Sequence, residues 1–182
     1  RGIPILGVNL GTLGFLTETE PSELREAIGR LCRDEYMIEE HSMLRAEAGG
    51  KITHVLNDVV ISRSGFSRLI RLQLYINGLP LQLYTGDGLL VSTPTGSTAY
   101  NLSAGGPVVA PDVDMFVITP ICPHSLSERS LVISASDCLE IEVVRSRKTQ
   151  EEEAIATTDG EYFQHLQVGD RITLTKSELS AK

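Results

Sequence analysis

Small and hydroxyl-bearing residues crowd one segment of this 182-residue chain. Residues 85 to 107 read TGDGLLVSTPTGSTAYNLSAGGP, and residues 92 to 103 carry six serine or threonine side chains, one tyrosine and no charge. Small side chains let a ligand approach the backbone closely, and unpaired N–H groups can hold anions or amide groups. This composition predicts a site for a polar ligand, and it suits a Ser/Thr/Gly-rich connection between two strands equally well.

The sequence motifs of several familiar sites are absent from the chain. Thr95-Gly96-Ser97-Thr98 lacks the lysine of a Walker A loop, and Gly86-Asp87-Gly88 is not followed by the third glycine of a dinucleotide fingerprint. There is no GxSxG elbow, no CxxC pair and no HExxH motif. A serine hydrolase or a zinc site of a common kind is therefore not indicated.

Asn57 and Asp58 form a second candidate, because they interrupt a stretch of aliphatic residues that otherwise reads as a buried strand. A buried carboxylate without a partner costs free energy. A ligand with hydroxyl groups, such as a ribose, would supply the partner, and an Asx turn or a strand end explains the pair as well. A lone histidine such as His124 is usually a hydrogen-bonded structural residue, and a direct role is the alternative. By spacing alone, Asp159 indicates a hairpin turn.

The elements that must position these residues follow two patterns. Residues 3 to 10 form an apolar run that is typical of a buried parallel strand, and a glycine-rich turn follows it. A helix comes next, since its apolar residues repeat at helical spacing: Leu24, Ala27, Ile28, Leu31 and Cys32. We expect residues 1 to 35 to be the end of an α/β domain.

After about residue 36 the apolar residues alternate. Residues 70 to 76 and 79 to 83 alternate on either side of Asn77-Gly78, which predicts a hairpin. A second hairpin is predicted around Asp159-Gly160. Many short strands separated by Gly, Asn and Asp favour a β-sandwich over residues 36 to 182. The fold class expected is α+β, with a mainly antiparallel sandwich after the α/β segment.

Charge and composition exclude several classes of partner. The net charge of −8 argues against a nucleic-acid binder, which needs a basic face. A hydrophobic content of 41% with 22% charged residues indicates a globular chain, and no apolar run is long enough to predict a membrane span. The three cysteines have no close partner, which fits a reducing compartment and a cytoplasmic location.

Taken together, these segments resemble the NAD kinase family, whose members phosphorylate the 2′-hydroxyl of the adenosine ribose of NAD to give NADP. The matching stretches occur in the family's order and cover most of the chain: GVNLGTLGFL (7 to 16), LNDVVISR (56 to 63), TGDGLLVSTPTGSTAYNLSAGGP (85 to 107), ITPICPHSLSERSLVIS (118 to 134) and TTDGE (157 to 161). The resemblance implies an α/β nucleotide domain followed by a β-sandwich that binds NAD.

The resemblance also implies a set of residues that contact NAD. Asn57 and Asp58 would hold its ribose or adenine, although the family often has Glu where Asp58 stands. Tyr100 would pack near the adenine, and Asp87 would contact NAD in its own or in a neighbouring subunit. The full set implied is Phe15, Asn57, Asp58, Arg68, Asp87, Thr98, Ala99, Tyr100, Asn101, Leu102, Ser103, Asp159 and Glu161.

The family's GGDG motif, whose Asp is taken as the base for the 2′-hydroxyl, matches nothing in residues 1 to 182. We therefore expect an internal fragment that also lacks the family's C-terminal tail, holds NAD, carries no catalytic residue and does not turn over alone. The complete enzyme would use ATP or polyphosphate with Mg²⁺ or another divalent metal and form a homodimer or homotetramer. A related lipid kinase and a non-catalytic nucleotide-binding module remain as alternatives.

Overall fold

The computed structural model describes residues 3–11, 17, 19–64, 69–125, 127–145 and 153–182. The chain divides into two compact units. Arg1–Glu40 with Ser180–Lys182 forms the first, and His41–Leu179 forms the second. The domain boundary expected after residue 35 stays a prediction.

The first unit contains the predicted helix, α1, over Leu24–Cys32. Glu26 lies in its first turn and Arg30 in its last, where each charge suits the helix dipole. The prediction of a strand at residues 3 to 10 is wrong. Within the described residues this run makes only one parallel bridge, between Val8 and Thr19, and Ile5 is 81% exposed. An apolar run becomes a strand only where a neighbouring strand pairs with its N–H and C=O groups.

The second unit consists mainly of antiparallel strands. The strands are β1 (His41–Ala48), β2 (Lys51–Val55), β3 (Asp58–Arg63), β4 (Ile70–Ile76), β5 (Leu79–Gly86), β6 (Gly88–Ser92), β7 (Met115–Ile121), β8 (Leu131–Ser134), β9 (Leu139–Val143), β10 (Glu153–Thr158), β11 (Glu161–Gln167) and β12 (Arg171–Ala181). A 3₁₀ helix (Thr95–Thr98) and the short α2 (Tyr100–Ser103) lie between β6 and β7.

Within the described residues these strands form two six-stranded sheets, in the orders β2-β1-β12-β9-β4-β5 and β11-β10-β3-β6-β7-β8. Both predicted hairpins are confirmed, β4 with β5 and β10 with β11. Asn77 and Gly78 turn the first with φ of 51° and 78°, and Asp159 and Gly160 turn the second with φ of 48° and 82°. These left-handed values are those of a two-residue hairpin turn, which explains the residue types.

Side chains from both sheets form one hydrophobic core, so the expected α+β class with an antiparallel sandwich is confirmed. Leu74 and Ile141 of the first sheet belong to it, as do Ile61 and Val91 of the second. Alternation along each strand sends these residues inward, as the two-residue period predicts. No helix in the described parts of the chain is long and apolar enough to cross a membrane.

The middle of the second sheet is buried on its other face as well. Val60, Leu90 and Val117 lie outside the core cluster, and at most 8% of any of these residues is exposed. The 3₁₀ helix and α2 pack against β6. This outer face also carries Asp58 and Ser92, which pair across β3 and β6.

Candidate functional site

The connection from β6 to the 3₁₀ helix is hydrogen-bonded to the segment just before β3. The Thr93 N–H donates to the Asn57 carbonyl oxygen at 2.9 Å. The Thr93 hydroxyl donates to the Leu56 carbonyl oxygen at 2.5 Å and accepts a hydrogen bond from the Gly96 N–H at 3.1 Å. A buried threonine therefore joins two loops that lie far apart in sequence.

Gly96 is the closest point of this approach. A Cβ at Gly96 would overlap the carbonyl oxygen of Asn57, so no larger residue fits without a backbone shift. Its need for glycine is therefore steric and comes from the neighbouring segment rather than from its own φ. Gly96 therefore serves the packing of its own loop against the segment that contains Asn57, and not the binding of a ligand.

Asn101, on α2, is held by hydrogen bonds inside the protein and is not part of the cavity lining. It is fully buried, and its amide group donates to the carbonyl oxygens of Ser97 at 3.2 Å and Pro107 at 2.9 Å. Its own oxygen accepts from the Thr119 hydroxyl at 2.7 Å. Since these bonds engage both ends of the amide, the structure does not bring the side chain of Asn101 to the cavity.

The turn between β10 and β11 places a carboxylate on the start of β3. One oxygen of Asp159 accepts from the N–H of Leu56 at 2.9 Å, and the other accepts from the N–H groups of Asn57 at 2.7 Å and Asp58 at 3.2 Å. The Asp159 N–H donates in return to the Asp58 carbonyl oxygen at 3.0 Å. Three consecutive N–H groups around one anion form a backbone nest.

These loops surround an open cavity of about 510 Å³ on the outer face of the second sheet. It is lined by Asn57, Asp58, Val60, Ser62, Ala99, Tyr100, Thr157, Asp159 and Gly160. The wall from β3 is formed by alternate residues, so one face of a single strand supplies it. A polar ligand with an apolar ring fits this lining, because Tyr100, a residue that is 46% exposed, lines the cavity.

Asp58 is the electrostatic centre of the cavity. Burial, and after it the charge of Asp159, raises the pKa of the Asp58 carboxyl group to about 6. No described residue donates a hydrogen bond to that carboxylate. A ligand that brings hydroxyl or amino hydrogens to Asp58 would supply the missing donors and stabilise the charged form.

Apart from Asn101 and Asp87, the residues predicted from the sequence divide into three groups. The cavity brings together Asn57, Asp58, Ala99, Tyr100 and Asp159. Four others lie elsewhere on the surface or beside the turn: Thr98, whose hydroxyl donates to the Thr95 carbonyl oxygen, Leu102 and Ser103 on α2, and Glu161 at the start of β11. Phe15 and Arg68 lie outside the described residues.

Asp87 does not line the cavity of its own chain. Its carboxylate lies 3.1 Å from the guanidinium of Arg63, at the far end of β3 from Asp58. Whether it reaches NAD in a neighbouring subunit stays a prediction.

The sequence analysis missed four residues of the lining. These are Val60, Ser62, Thr157 and Gly160. The first two could have been found, because they follow Asp58 at the two-residue spacing of one strand face. Thr157 could not, since only the register that pairs it with Val60 puts it there.

Comparison with known families decides what kind of chain this is. A family model described as the ATP-NAD kinase C-terminal domain matches residues 56–182, and one described as the ATP-NAD kinase N-terminal domain matches residues 1–36. The chain belongs to the NAD kinase family. The resemblance inferred from the sequence is thereby confirmed.

Two curated relatives agree with this assignment. The NAD kinase of Lachnoclostridium phytofermentans is 51% identical over 187 residues, which cover 99% of this chain and 66% of the relative. The NAD kinase of Acetivibrio thermocellus is 46% identical over 184 residues, which cover 98% and 63%. The chain thus spans less than two thirds of the length of these relatives.

Solved structures of the family share the fold. A crystal structure of a yeast NADH kinase complexed with NADH superposes with a TM-score of 0.86 at 33% identity, covering 98% of this chain and 54% of the yeast chain. An NAD kinase from Archaeoglobus fulgidus in complex with ATP gives a TM-score of 0.83 at 27% identity, covering 98% of this chain and 67% of the other.

Gly96→Ala should destabilise the second unit by about 2 kcal/mol or more, because the new Cβ meets the backbone of Asn57. Gly105→Ala is the matched control. Gly105 has φ of +84° and no heavy atom within 4 Å of an added Cβ. Alanine there should therefore lower the free energy of unfolding only through its left-handed backbone conformation, by about 1 kcal/mol. Urea unfolding measures both, and equal losses would contradict the close approach.

Asp58→Asn should stabilise the unliganded chain at neutral pH. The folded carboxyl group, with its pKa of about 6, keeps its proton in the range where the unfolded one, with a pKa of about 3.9, has lost it. The wild type therefore loses stability as pH rises through that window, on the order of 3 kcal/mol in all. Asparagine removes this loss.

The measurement is urea unfolding of both proteins at about pH 4 and about pH 7. The gain from Asp58→Asn should be larger at the higher pH, which separates the charge effect from the effect of the side-chain change. A gain that is the same at both values would show that Asp58 ionises normally in the folded chain.

Proposed function

We propose that this chain is the NAD-holding part of an NAD kinase, which transfers the γ-phosphoryl group of ATP to the 2′-hydroxyl of the adenosine ribose of NAD. The observation that carries the proposal is Asp58, a cavity residue that is only 6% exposed and whose carboxylate accepts no hydrogen bond from any described residue. Because the chain belongs to the NAD kinase family, we infer that the missing hydrogen-bond donors are hydroxyl or amino groups of a dinucleotide.

The lining suits the parts of that ligand. Asn57 and Asp58 supply amide and carboxylate groups for ribose hydroxyls or an adenine amine. Tyr100 is a half-exposed residue of the lining, and its ring offers a stacking face for the base. Ala99 and Gly160 add no bulk, so the ligand can approach the backbone there.

The reaction that these residues serve is a direct displacement. The 2′-oxygen of NAD forms a bond to the γ-phosphorus, the bond from that phosphorus to the departing ADP oxygen breaks, and the hydroxyl proton leaves to a base. The cavity residues contribute by holding the ribose in one orientation, which lowers the entropic part of the barrier. The base is proposed to be the Asp of a GGDG motif, which residues 1–182 do not contain.

Magnesium would accompany ATP in this reaction, where it neutralises the charge on the phosphates. Among the described residues, no group of three or more His, Cys, Asp or Glu side chains is placed to hold a metal ion. We therefore assign no step of the mechanism to a metal held by this chain. Use of polyphosphate, a homodimer or homotetramer and a cytoplasmic location stay predictions.

NADH is a second candidate substrate, because the yeast relative of known structure is an NADH kinase complexed with NADH. The cavity holds groups for the adenosine half, which NAD and NADH share. A related lipid kinase or a nucleotide-binding module without catalysis remains as the contrasting hypothesis.

NAD titrated into the chain by calorimetry should bind, and Tyr100→Ala should weaken binding about tenfold, because a base loses its stacking partner. Tyr75→Ala is the matched control on the other sheet, where the Tyr75 hydroxyl donates to Glu142 at 2.9 Å. NADH and diacylglycerol vesicles are titrated in parallel. Binding of the vesicles without binding of either dinucleotide would favour the lipid kinase.

Residues 1–182 alone should give no NADP from NAD, ATP and Mg²⁺, because the chain has no GGDG motif. A coupled NADP assay on the purified chain measures this, with a full-length relative as the positive control. Sustained NADP formation that survives further purification and disappears in Asp58→Ala would show that a catalytic base lies within this chain.

A further inference from the structure

We propose that Asp159 is a positioning residue, which holds the backbone of residues 56 to 58 so that the side chains of Asn57 and Asp58 face the ligand. This inference rests on the proposed function and names the device that orients the two contact residues. Sequence analysis placed Asp159 among the NAD contacts, whereas the geometry engages its carboxylate with the backbone of its own chain.

The hydrogen bonds define the orientation of the peptide planes. One carboxylate accepts from three consecutive N–H groups, at 2.9 Å from Leu56, 2.7 Å from Asn57 and 3.2 Å from Asp58. Charged acceptors make the stronger hydrogen bonds of proteins. Since each peptide unit is planar, holding three successive N–H groups restricts the φ and ψ angles between them, and with those angles the directions of the Cα–Cβ bonds.

Sheet pairing brings the carboxylate to this point. β10 pairs with β3 up to Thr158 and Val59, and the turn follows at once. Asp159 adopts φ of 48° there, and its N–H donates to the Asp58 carbonyl oxygen at 3.0 Å. The turn and the start of β3 thus exchange hydrogen bonds in both directions.

The carbonyl side of the same segment is held independently. The Asn57 carbonyl oxygen accepts from the Thr93 N–H at 2.9 Å, and the Leu56 carbonyl oxygen accepts from the Thr93 hydroxyl. The segment is therefore hydrogen-bonded on both sides through its backbone alone. No described residue hydrogen-bonds to the side chains of Asn57 or Asp58, which leaves both for a ligand.

Asp159 also acts on Asp58 through its charge. Among the described residues that line the cavity, the titratable ones are Asp58, Asp159 and Tyr100. After burial, Asp159 is the second cause that raises the pKa of Asp58. An asparagine at position 159 keeps the shape, turns an N–H₂ group toward one of the three N–H donors and removes the charge. It should both loosen the segment and lower the pKa of Asp58.

The first test needs no ligand. Hydrogen exchange by NMR should show the amides of Leu56 and Asn57 protected in the wild type and exchanging at least about tenfold faster in Asp159→Asn. Asp170→Asn is the matched control, because the Asp170 carboxylate accepts from the Gln167 N–H at 2.8 Å in another turn. The control should leave both amides and the Asp58 titration unchanged.

The second test uses NAD affinity. Asp159→Asn should weaken binding about tenfold and should move the pH dependence of binding, which follows ionisation of Asp58 near pH 6 in the wild type, to lower pH. In a variant that already carries Asn57→Ala and Asp58→Asn, Asp159→Asn should add little to the loss, because it acts through those two residues. Losses that add in full would overturn the inference and make Asp159 a direct contact.

The two tests separate this inference from the proposed function. A folded wild type that binds neither NAD nor NADH contradicts the function, while the amide exchange and the Asp58 titration still decide the role of Asp159. If Asp159→Asn does not fold, the wild type is sufficient: rapid exchange of Leu56 and Asn57, as in an exposed loop, overturns the inference, and protection supports it.

Discussion

The candidate site depends on one short backbone segment, residues 56 to 58, that is hydrogen-bonded from both sides. Asp159 binds its N–H groups, and Thr93 binds its carbonyl oxygens. Backbone groups at a strand end need such partners when the surroundings exclude water. Because the partners come from two other loops, three distant parts of the chain meet at one point, and the cavity is the space between them.

The fold holds Asp58 in a position that is unfavourable for a charged group, and this indicates a role in binding. Asp58 is buried beside a second carboxylate and no described group donates to it, so its pKa rises to about 6. A carboxylate kept in this way destabilises the unliganded fold and strengthens its attraction for a donor. The stability of the sandwich comes instead from the core shared by its two sheets, where Leu74, Ile141 and Ile61 are at most 1% exposed.

Some residues of the 85 to 107 segment make hydrogen bonds inside the protein and others line the cavity. The composition of the segment does not show which residue does which. Asn101 and Thr93 are buried with their hydrogen bonds made inside the protein, whereas Tyr100 and Ala99 line the cavity. A hydroxyl or an amide serves either task, and the sequence is the same for both. Gly96 shows this limit as well, since the atom that requires a glycine there belongs to Asn57, 39 positions earlier in the chain.

The sequence by itself determined the features that depend on neighbouring residues. The period of the apolar residues predicted α1 and the alternating strands, and Asn77-Gly78 and Asp159-Gly160 predicted their turns through the left-handed φ that these residues tolerate. The family followed from motif order. Tertiary structure decided that residues 3 to 10 are no strand, that Asn101 is internal, and that Asp159 reaches Leu56. Each of these three outcomes depends on contacts between segments that are separate in the sequence. Such contacts are set by strand pairing and loop packing, which the local pattern of residues does not contain.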